Sequence, residues 1–360
     1  MSVMIARVAA RSKVDQVADR IRALIYQGKL VAGQRLACER ELATQFSVST
    51  PTLNKAMAAL EIDGLLDRKT GRGTFVREGL AAGGTVAVVF HQRHMVHDAP
   101  FYGAMMNALL VEVGRHKMRP QFVVGCGETG KEFTESLHPT SPLWRHIVGV
   151  ISMAWLPDEG FEDALAENGK PVVTLSSYRQ GRHCVRFDFP ALIRMSCEHL
   201  AAGGYREIGL ITNEEAAPGM DRSEILSSFE AITSELGLTT KPHWRKTSVV
   251  GAMNGREAMH ELWKGADRPR AIVVSDENIA VGVGEALLEM GIRCPDDLAV
   301  ISHGTIGVNL DMPLEFTRCC FELQRVCEMA WDLLNHLTVG GMEVPALQNV
   351  IPHIVSGKTT

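Results

Sequence analysis

Residues 36–76 constrain this chain more than any other stretch. They read LACERELATQFSVSTPTLNKAMAALEIDGLLDRKTGRGTFV. Residues 39–46 place Leu42, Ala43 and Phe46 on one helical face, and Ser47, Val48 and Ser49 form a turn. A second helix starts near Thr50-Pro51, where Ser49 or Thr50 can cap and proline is tolerated in the first turn. Its buried stripe is Leu53, Ala56, Met57 and Leu60, and Gly64 ends it. The opposite face carries Thr50, Thr52, Asn54, Lys55 and Ala58. Leu65-Leu66 and Thr74-Phe75-Val76 read as two strands, with Arg68, Lys69, Gly71 and Arg72 at the tip between them. Such a module sets a helix in a DNA major groove and a wing beside it.

Charge supports that use. Residues 1–78 hold 13 Lys/Arg against 8 Asp/Glu, whereas the remainder holds 24 against 34. A basic head on an acidic body suits a head that meets a polyanion and a body that does not. Ahead of the module, Val14, Val17, Ile21, Leu24 and Ile25 recur at helical spacing up to Gly28. Residues 77–84 have no pattern and three glycines, which marks a joint. The resulting division is a head at 1–78, a linker at 79–84 and a body at 85–360.

Beyond the joint, the rhythm alternates between continuous Val/Ile strands and helices, beginning with TVAVVF at 85–90. That pattern predicts parallel sheets covered on both faces, and the length calls for two lobes. No apolar run reaches the length of a membrane span, and the opening residues do not form a signal peptide. Eight cysteines with no CxxC fit reduced thiols in the cytoplasm.

Residues 13–76 resemble the winged helix-turn-helix of the GntR family of bacterial transcription regulators. The resemblance rests on Gly28, Gly33, Leu36, Glu39-Arg40-Glu41-Leu42-Ala43, Phe46, Val48-Ser49, Ala56, Leu60, Gly64-Leu65 and Gly71 through Val76. It implies DNA contact by Arg40, Thr52 and Gly71. The reading of the exposed face and wing adds Thr50, Asn54, Lys55, Arg68, Lys69 and Arg72. Four positions depart from the family. Ala37-Cys38 replaces the usual Pro-Ser, so a thiol stands where a serine would cap the helix, at a cost of ~0.5–1 kcal/mol. Thr50 and Asn54 occupy positions where arginine is common.

Residues 85–358 resemble the effector domain of LacI-type repressors, itself similar to periplasmic sugar-binding proteins. The resemblance is carried by VAVVF with PFYGAMMNALL, by EHL followed by GYR at 198–206, and by IRCPDDLAV at 292–300. It implies an α/β body of two doubly wound lobes, one at 85–178 with 305–338 and the other at 182–303 with 342–358. The implied ligand contacts are Phe101, Asp188 and Asp276. Arg222 could replace the family arginine that is Ile225 here. Asp188 could instead cap a helix, Asp276 could be a solvated strand end, and Trp155, Tyr178 and Arg186 could face the cleft or only pack. The acidic pair usual after a late strand is missing at Ser302-His303-Gly304.

Other motifs lead nowhere. Residues 125–130 spell GxGxxG after a strand, but the acidic residue required about twenty positions on is absent. GKTT at 357–360 lacks the leading glycine and following helix of a phosphate loop. His91, His94, His97 and Asp98 are metal ligands by type, but solvated polar residues of a loop are the usual explanation of such a group. No cofactor and no catalytic group is implied. The resemblances together imply a dimeric DNA-binding regulator, a repressor, controlled by a small-molecule effector such as a sugar or sugar derivative. Its partners would be double-stranded operator DNA and that effector, with no membrane. The rivals are an α/β enzyme carrying a DNA-binding head and a ligand receptor that does not bind DNA.

Overall fold

The computed structural model describes residues 12–360, except 27–28, 32, 63–64, 70, 78–83, 93–98, 126–146, 154–158, 168, 180, 214–222 and 340–343. In the head, α1 (Lys13–Tyr26), α2 (Glu39–Gln45) and α3 (Thr50–Ile62) precede a hairpin of β1 (Leu66–Lys69) and β2 (Gly73–Val76). The periodic apolar positions close one core, in which Ile21, Leu42, Leu53, Met57, Leu60, Leu66 and Val76 are all buried. Val76 donates to the Gln34 carbonyl and Leu36 to the Thr74 carbonyl, so residues 33–36 add an extended segment beside β2. Arg68 and Lys69 lie inside β1, opposite Thr74 and Gly73, and not at the tip. The turn is tighter than the sequence suggested because Arg72 N–H already bonds to the Lys69 carbonyl at 2.8 Å.

Among the described residues, the body has two six-stranded sheets. The first runs in the order β13 (Leu347–Val350), β7 (Cys184–Phe187), β6 (Val172–Ser176), β5 (Ile147–Met153), β3 (Thr85–His91), β4 (Arg119–Gly125). All of its neighbouring pairs are parallel. Helices α4 (Ala99–Arg115), α5 (Glu159–Glu167) and α10 (Leu323–Val339) pack on it. The second runs β14 (His353–Val355), β12 (Thr317–Glu322), β11 (Ala299–Ile306), β10 (Ala271–Val274), β8 (Ile208–Asn213), β9 (Arg245–Ser248). Only β14 is antiparallel to its neighbour. Its helices are α6 (Phe189–Ala202), α7 (Ser223–Glu235), α8 (Ala252–Lys264) and α9 (Glu277–Glu289). The inner strands are covered on both faces: every residue of β5, β6 and β10 is buried.

The lobe limits expected from sequence need correction. β7 and β13, assigned to lobe two, pair in the first sheet. β12, assigned to lobe one, pairs with β11 in the second. The chain therefore crosses between β7 and α6, between β12 and α10, and between β13 and β14. The misplacement has a physical cause: each crossing follows a strand end within three residues, so no glycine- or proline-rich loop marks it in the sequence.

One apolar cluster runs through these crossings, joining Val88 and Leu175 of lobe one to Leu210 and Ile301 of lobe two. A second lies under α8 and α9, which approach so closely that a Cβ at Gly282 would stand 1.7 Å from the Ala252 carbonyl oxygen. Among the described residues, no helix is long and apolar enough to cross a membrane.

Candidate nucleic-acid interface and ligand cleft

The head presents its candidate groups on α3, the α2 start and the wing. Arg40, Thr50, Lys55, Lys69, Gly71 and Arg72 are exposed, while Thr52, Asn54 and Arg68 are half-buried. Ser49 caps α3, its Oγ accepting the Thr52 N–H at 3.3 Å and sharing a 2.8 Å hydrogen bond with Thr52 Oγ1. The start of α3 is thereby fixed, with its free N–H groups and Thr50 turned outward. Gly71 takes φ +73 with open space where a Cβ would be, and Gly73 takes φ +105 against the Arg35 guanidinium. Lys69 lies over the Phe75 ring at 5.4 Å, a cation–π contact that holds one wing cation near the strand. Arg68 is more constrained: it pairs with Glu39 of α2 and donates to Asn54 Oδ1 of α3 at 3.0 Å. The sequence treated Arg68 as a wing-tip cation, whereas here it ties three elements together. Nothing in the periodicity links positions 39, 54 and 68.

At the α2 start, Cys38 is the N-cap residue in extended conformation, with φ −65 and ψ 152. Its N–H bonds to Glu41 Oε2 at 3.3 Å, and its thiol makes no capping hydrogen bond. The Cys38 and Glu41 side chains are both placed as in a capping box, with sulfur standing where a serine oxygen would accept.

In the body, strand C-terminal ends from both lobes meet at the crossings. An aromatic chain marks the place: Phe101 at the start of α4 lies 5.9 Å from Phe187, which lies 5.2 Å from Phe321. Phe321 in turn lies 5.4 Å from Phe189 and 5.7 Å from His303. Asp188 is buried at 8% exposure and caps α6, its Oδ1 accepting the Ala191 N–H at 3.0 Å. Arg186 beside it bonds to Asn349 Oδ1 at 3.1 Å and Glu224 Oε1 at 3.4 Å. Asp276 caps α9, with Oδ1 accepting the Asn278 and Ile279 N–H groups at 3.0 Å each, and Oδ2 accepting from Asn213 Nδ2 at 2.9 Å. Both carboxylates are thus engaged in helix capping. Tyr178 N–H bonds to Ser176 Oγ at 3.3 Å. Arg222, Trp155, His94, His97, Asp98 and residues 126–130 lie outside the described residues.

His303 is the residue whose chemistry the sequence did not reveal. Burial lowers its imidazole from the ordinary 6.5 to about 3, so it is neutral at physiological pH. Its Nε2 is buried and has no hydrogen-bond partner among the described residues. The thiols of Cys197, Cys319 and Cys327 are pushed up to about 12 by burial, which leaves them protonated and poor nucleophiles. Among the described residues no group of three His, Cys, Asp or Glu side chains could hold a metal ion. The tail that mimics a phosphate loop is structural: Thr359 Oγ1 donates to the Val300 carbonyl at 2.6 Å and Lys358 pairs with Glu315 at 2.7 Å.

A helix-turn-helix with a basic wing, followed by two parallel-sheet lobes crossed three times, defines a class of protein with a DNA-binding-type head and a periplasmic-binding-protein-like body. Comparison with known families agrees. Residues 13–76 match the family described as bacterial regulatory proteins, gntR family, and residues 197–360 match the periplasmic binding protein-like domain. The chain thus joins a segment similar to the gntR family to one similar to periplasmic binding protein-like domains. Its head resembles an Escherichia coli (strain K12) protein named for regulating the L-lactate dehydrogenase operon, at 47% identity over 70 residues, 19% of this chain and 27% of that protein. A wider match is the HTH-type transcriptional regulator GalR of Streptococcus thermophilus, at 28% identity over 58% of this chain and 64% of that protein. The chain thus spans about a quarter of the first relative and under two thirds of the second. In fold it resembles the lac repressor dimer bound to operator and the anti-inducer ONPF, with TM-score 0.63 and 16% identity over 84% of this chain and 98% of that one.

Proposed function

We propose that the chain is a cytoplasmic transcriptional repressor with a head at residues 1–78, a linker at 79–84 and a ligand-binding body from 85 onward. The observation that carries this reading is the union, in one chain, of an exposed cationic helix face and wing with a two-lobed body. Two chains form a homodimer whose heads occupy two half-sites of an operator. Thr50, Thr52, Asn54 and Lys55 face the major groove, and Arg40, Lys69, Gly71 and Arg72 meet backbone phosphate. A small molecule binds where the strand ends of the two lobes meet, with Phe101, Asp188 and Asp276 as contacts and Arg222 as a further candidate from sequence alone. Its binding changes the lobe arrangement and so the spacing of the heads, which couples ligand and operator affinities reciprocally. The lac repressor structure holds operator and anti-inducer together, which supports such a coupling. On the body's likeness alone, the effector is a sugar or sugar derivative. The chain performs no catalysis; the buried, protonated thiols and the capping roles of Asp188 and Asp276 support this.

Selection from a random duplex library tests the head, with an enriched, salt-sensitive sequence expected and its absence overturning the DNA-binding reading. A thermal-shift screen against sugars, polyols and sugar acids tests the body. A raised melting temperature with no product formed is expected; turnover would favour an enzyme instead, and no response to any carbohydrate would remove the sugar assignment.

A further inference from the structure

We propose that Arg68 sets the base preference of the recognition helix by locking Asn54 as a hydrogen-bond donor. This inference rests on the DNA-binding reading of the head and deepens it. Where arginine is common on the helix itself, this chain has Asn54 and brings a guanidinium from strand β1 instead. Arg68 Nη2 donates to Asn54 Oδ1 at 3.0 Å and also to Glu39, so its two terminal hydrogens are divided between α3 and α2. Arginine has no acceptor, so only the amide oxygen of Asn54 can face it. The Asn54 NH2 group is then left to point away from Arg68, from a face of α3 shared with the exposed Thr50 and Lys55.

An unrestrained asparagine reads adenine bidentately, because its oxygen accepts from N6 while its nitrogen donates to N7. Asn54 cannot do this while its oxygen is bound to Arg68. As a pure donor it favours the base edge that offers acceptors alone, and guanine presents N7 and O6 side by side. Adenine places its N6 donor against the Asn54 NH2 and is disfavoured. Arg68 is therefore a positioning residue: its charge is matched by Glu39, and its effect on DNA passes through the asparagine.

Duplex selection with the full-length chain tests this, comparing wild type, Arg68→Met and Asn54→Asp, with salt titration of each selected site. Wild type is expected to enrich guanine at one position of each half-site. Arg68→Met frees the amide to rotate and shifts that position toward adenine by roughly tenfold, the discrimination a bidentate pair carries. Its salt dependence should match wild type, since no phosphate contact is lost. Asn54→Asp keeps the acceptor for Arg68 but has no donor, so the guanine preference should vanish and cytosine, which offers an N4 donor, should replace it. The proposal is overturned if Arg68→Met weakens all sequences equally and lowers the salt slope by about 0.9, the signature of a lost phosphate contact. It is equally overturned if Asn54→Asp selects the same base as wild type, a readout that stands even if Arg68→Met fails to fold. Absence of any enriched sequence with wild type would instead overturn the DNA-binding reading beneath it.

Discussion

The candidate groups of the head and those of the body differ in how much of their bonding is already used within the chain. On the head, Arg40, Thr50, Lys55 and Arg72 are exposed. In the body, Asp188 and Asp276 hold helix starts, and Arg186 is bound to two neighbours. A polyanion is met at the surface by cations whose attraction acts through solvent, so such groups need little internal support. A small molecule is held by groups fixed in advance, and fixing them takes hydrogen bonds from the scaffold. Substitutions in the body should therefore change stability and ligand response together, whereas those on the head face should change DNA binding alone.

The strongest way to break that contrast is to damage the body far from its cleft. Gly282 of α9 faces the Ala252 carbonyl at 1.7 Å from a would-be Cβ, and the Ala252 carbonyl carbon at 2.6 Å. Backbone cannot move aside as a flexible side chain can, so Gly282→Ala should force α8 and α9 apart. The expected loss is about 3 kcal/mol of body stability. Urea unfolding measures it, and hydrogen exchange of the Leu53 and Leu60 amides reports the head separately. Equal loss of protection in the head would show the two units to be one, and the contrast would fail.

Next in size is the pH response of His303. Its folded-state pKa, about 3, lies below the ordinary 6.5 because burial disfavours the imidazolium. Between these values the unfolded chain binds a proton that the folded chain does not. Stability is therefore complete above pH 6.5 and falls as pH drops toward 3. From pH 7 to pH 5 the loss is about 2 kcal/mol at 1.36 kcal/mol per pH unit. His303 packs against Phe189 and Phe321, so phenylalanine fits the chemistry of its surroundings. His303→Phe should flatten this part of the pH profile, and an unchanged profile would mean that the imidazole is not buried neutral.

The contrast also explains what the sequence disclosed and what it hid. The stripe of Leu53, Ala56, Met57 and Leu60 and the continuous strand at 85–91 are set by local periodicity, and both are found as expected. Strand β9 reads RKTS because it is a sheet edge, with no apolar signal to find. Helix α8 buries Gly255, Ala258, Met259 and Leu262 on one side, a stripe at helical spacing that the sequence did offer. The crossings between lobes follow strand ends without loops, so only pairing partners locate them. On the head, the exposure of Arg40, Thr50 and Lys55 was legible, but the placing of Arg68 and Lys69 inside β1 and the bonding of Arg68 to residues 14 and 29 positions away were not. In the body, helix capping was one of the readings of Asp188 from sequence, whereas the capping bonds of Asp276 emerged only from the fold.

Asp276 allows the two roles of a body carboxylate to be separated. Asp276→Ala removes the acceptor for two N–H groups at the start of α9 and should cost about 1 kcal/mol. Asparagine is as good a cap, so Asp276→Asn should unfold near the wild-type midpoint. If Asp276→Asn keeps stability but loses the thermal shift given by an active ligand, the carboxylate charge also binds ligand. If both variants keep that shift, Asp276 is a cap alone and the ligand site lies elsewhere among the strand ends.

The smallest effect is expected on the head, where the contrast predicts a change in stability without a change in base preference. Cys38 has the extended backbone of an N-cap and already gives its N–H to Glu41, but the other arm of the box relies on a thiol, a weak acceptor. Cys38→Ser supplies a hydroxyl that can accept the Glu41 N–H and should add ~0.5–1 kcal/mol to the head. Hydrogen exchange of the α2 and α3 amides reads the gain directly, since a body transition could mask it in a bulk melt. Duplex selection should return the wild-type sequence, because neither the α3 face nor the Arg68–Asn54 contact is altered. A changed base preference would mean that the α2 start governs how α3 meets DNA, and that the head is coupled internally as tightly as the body.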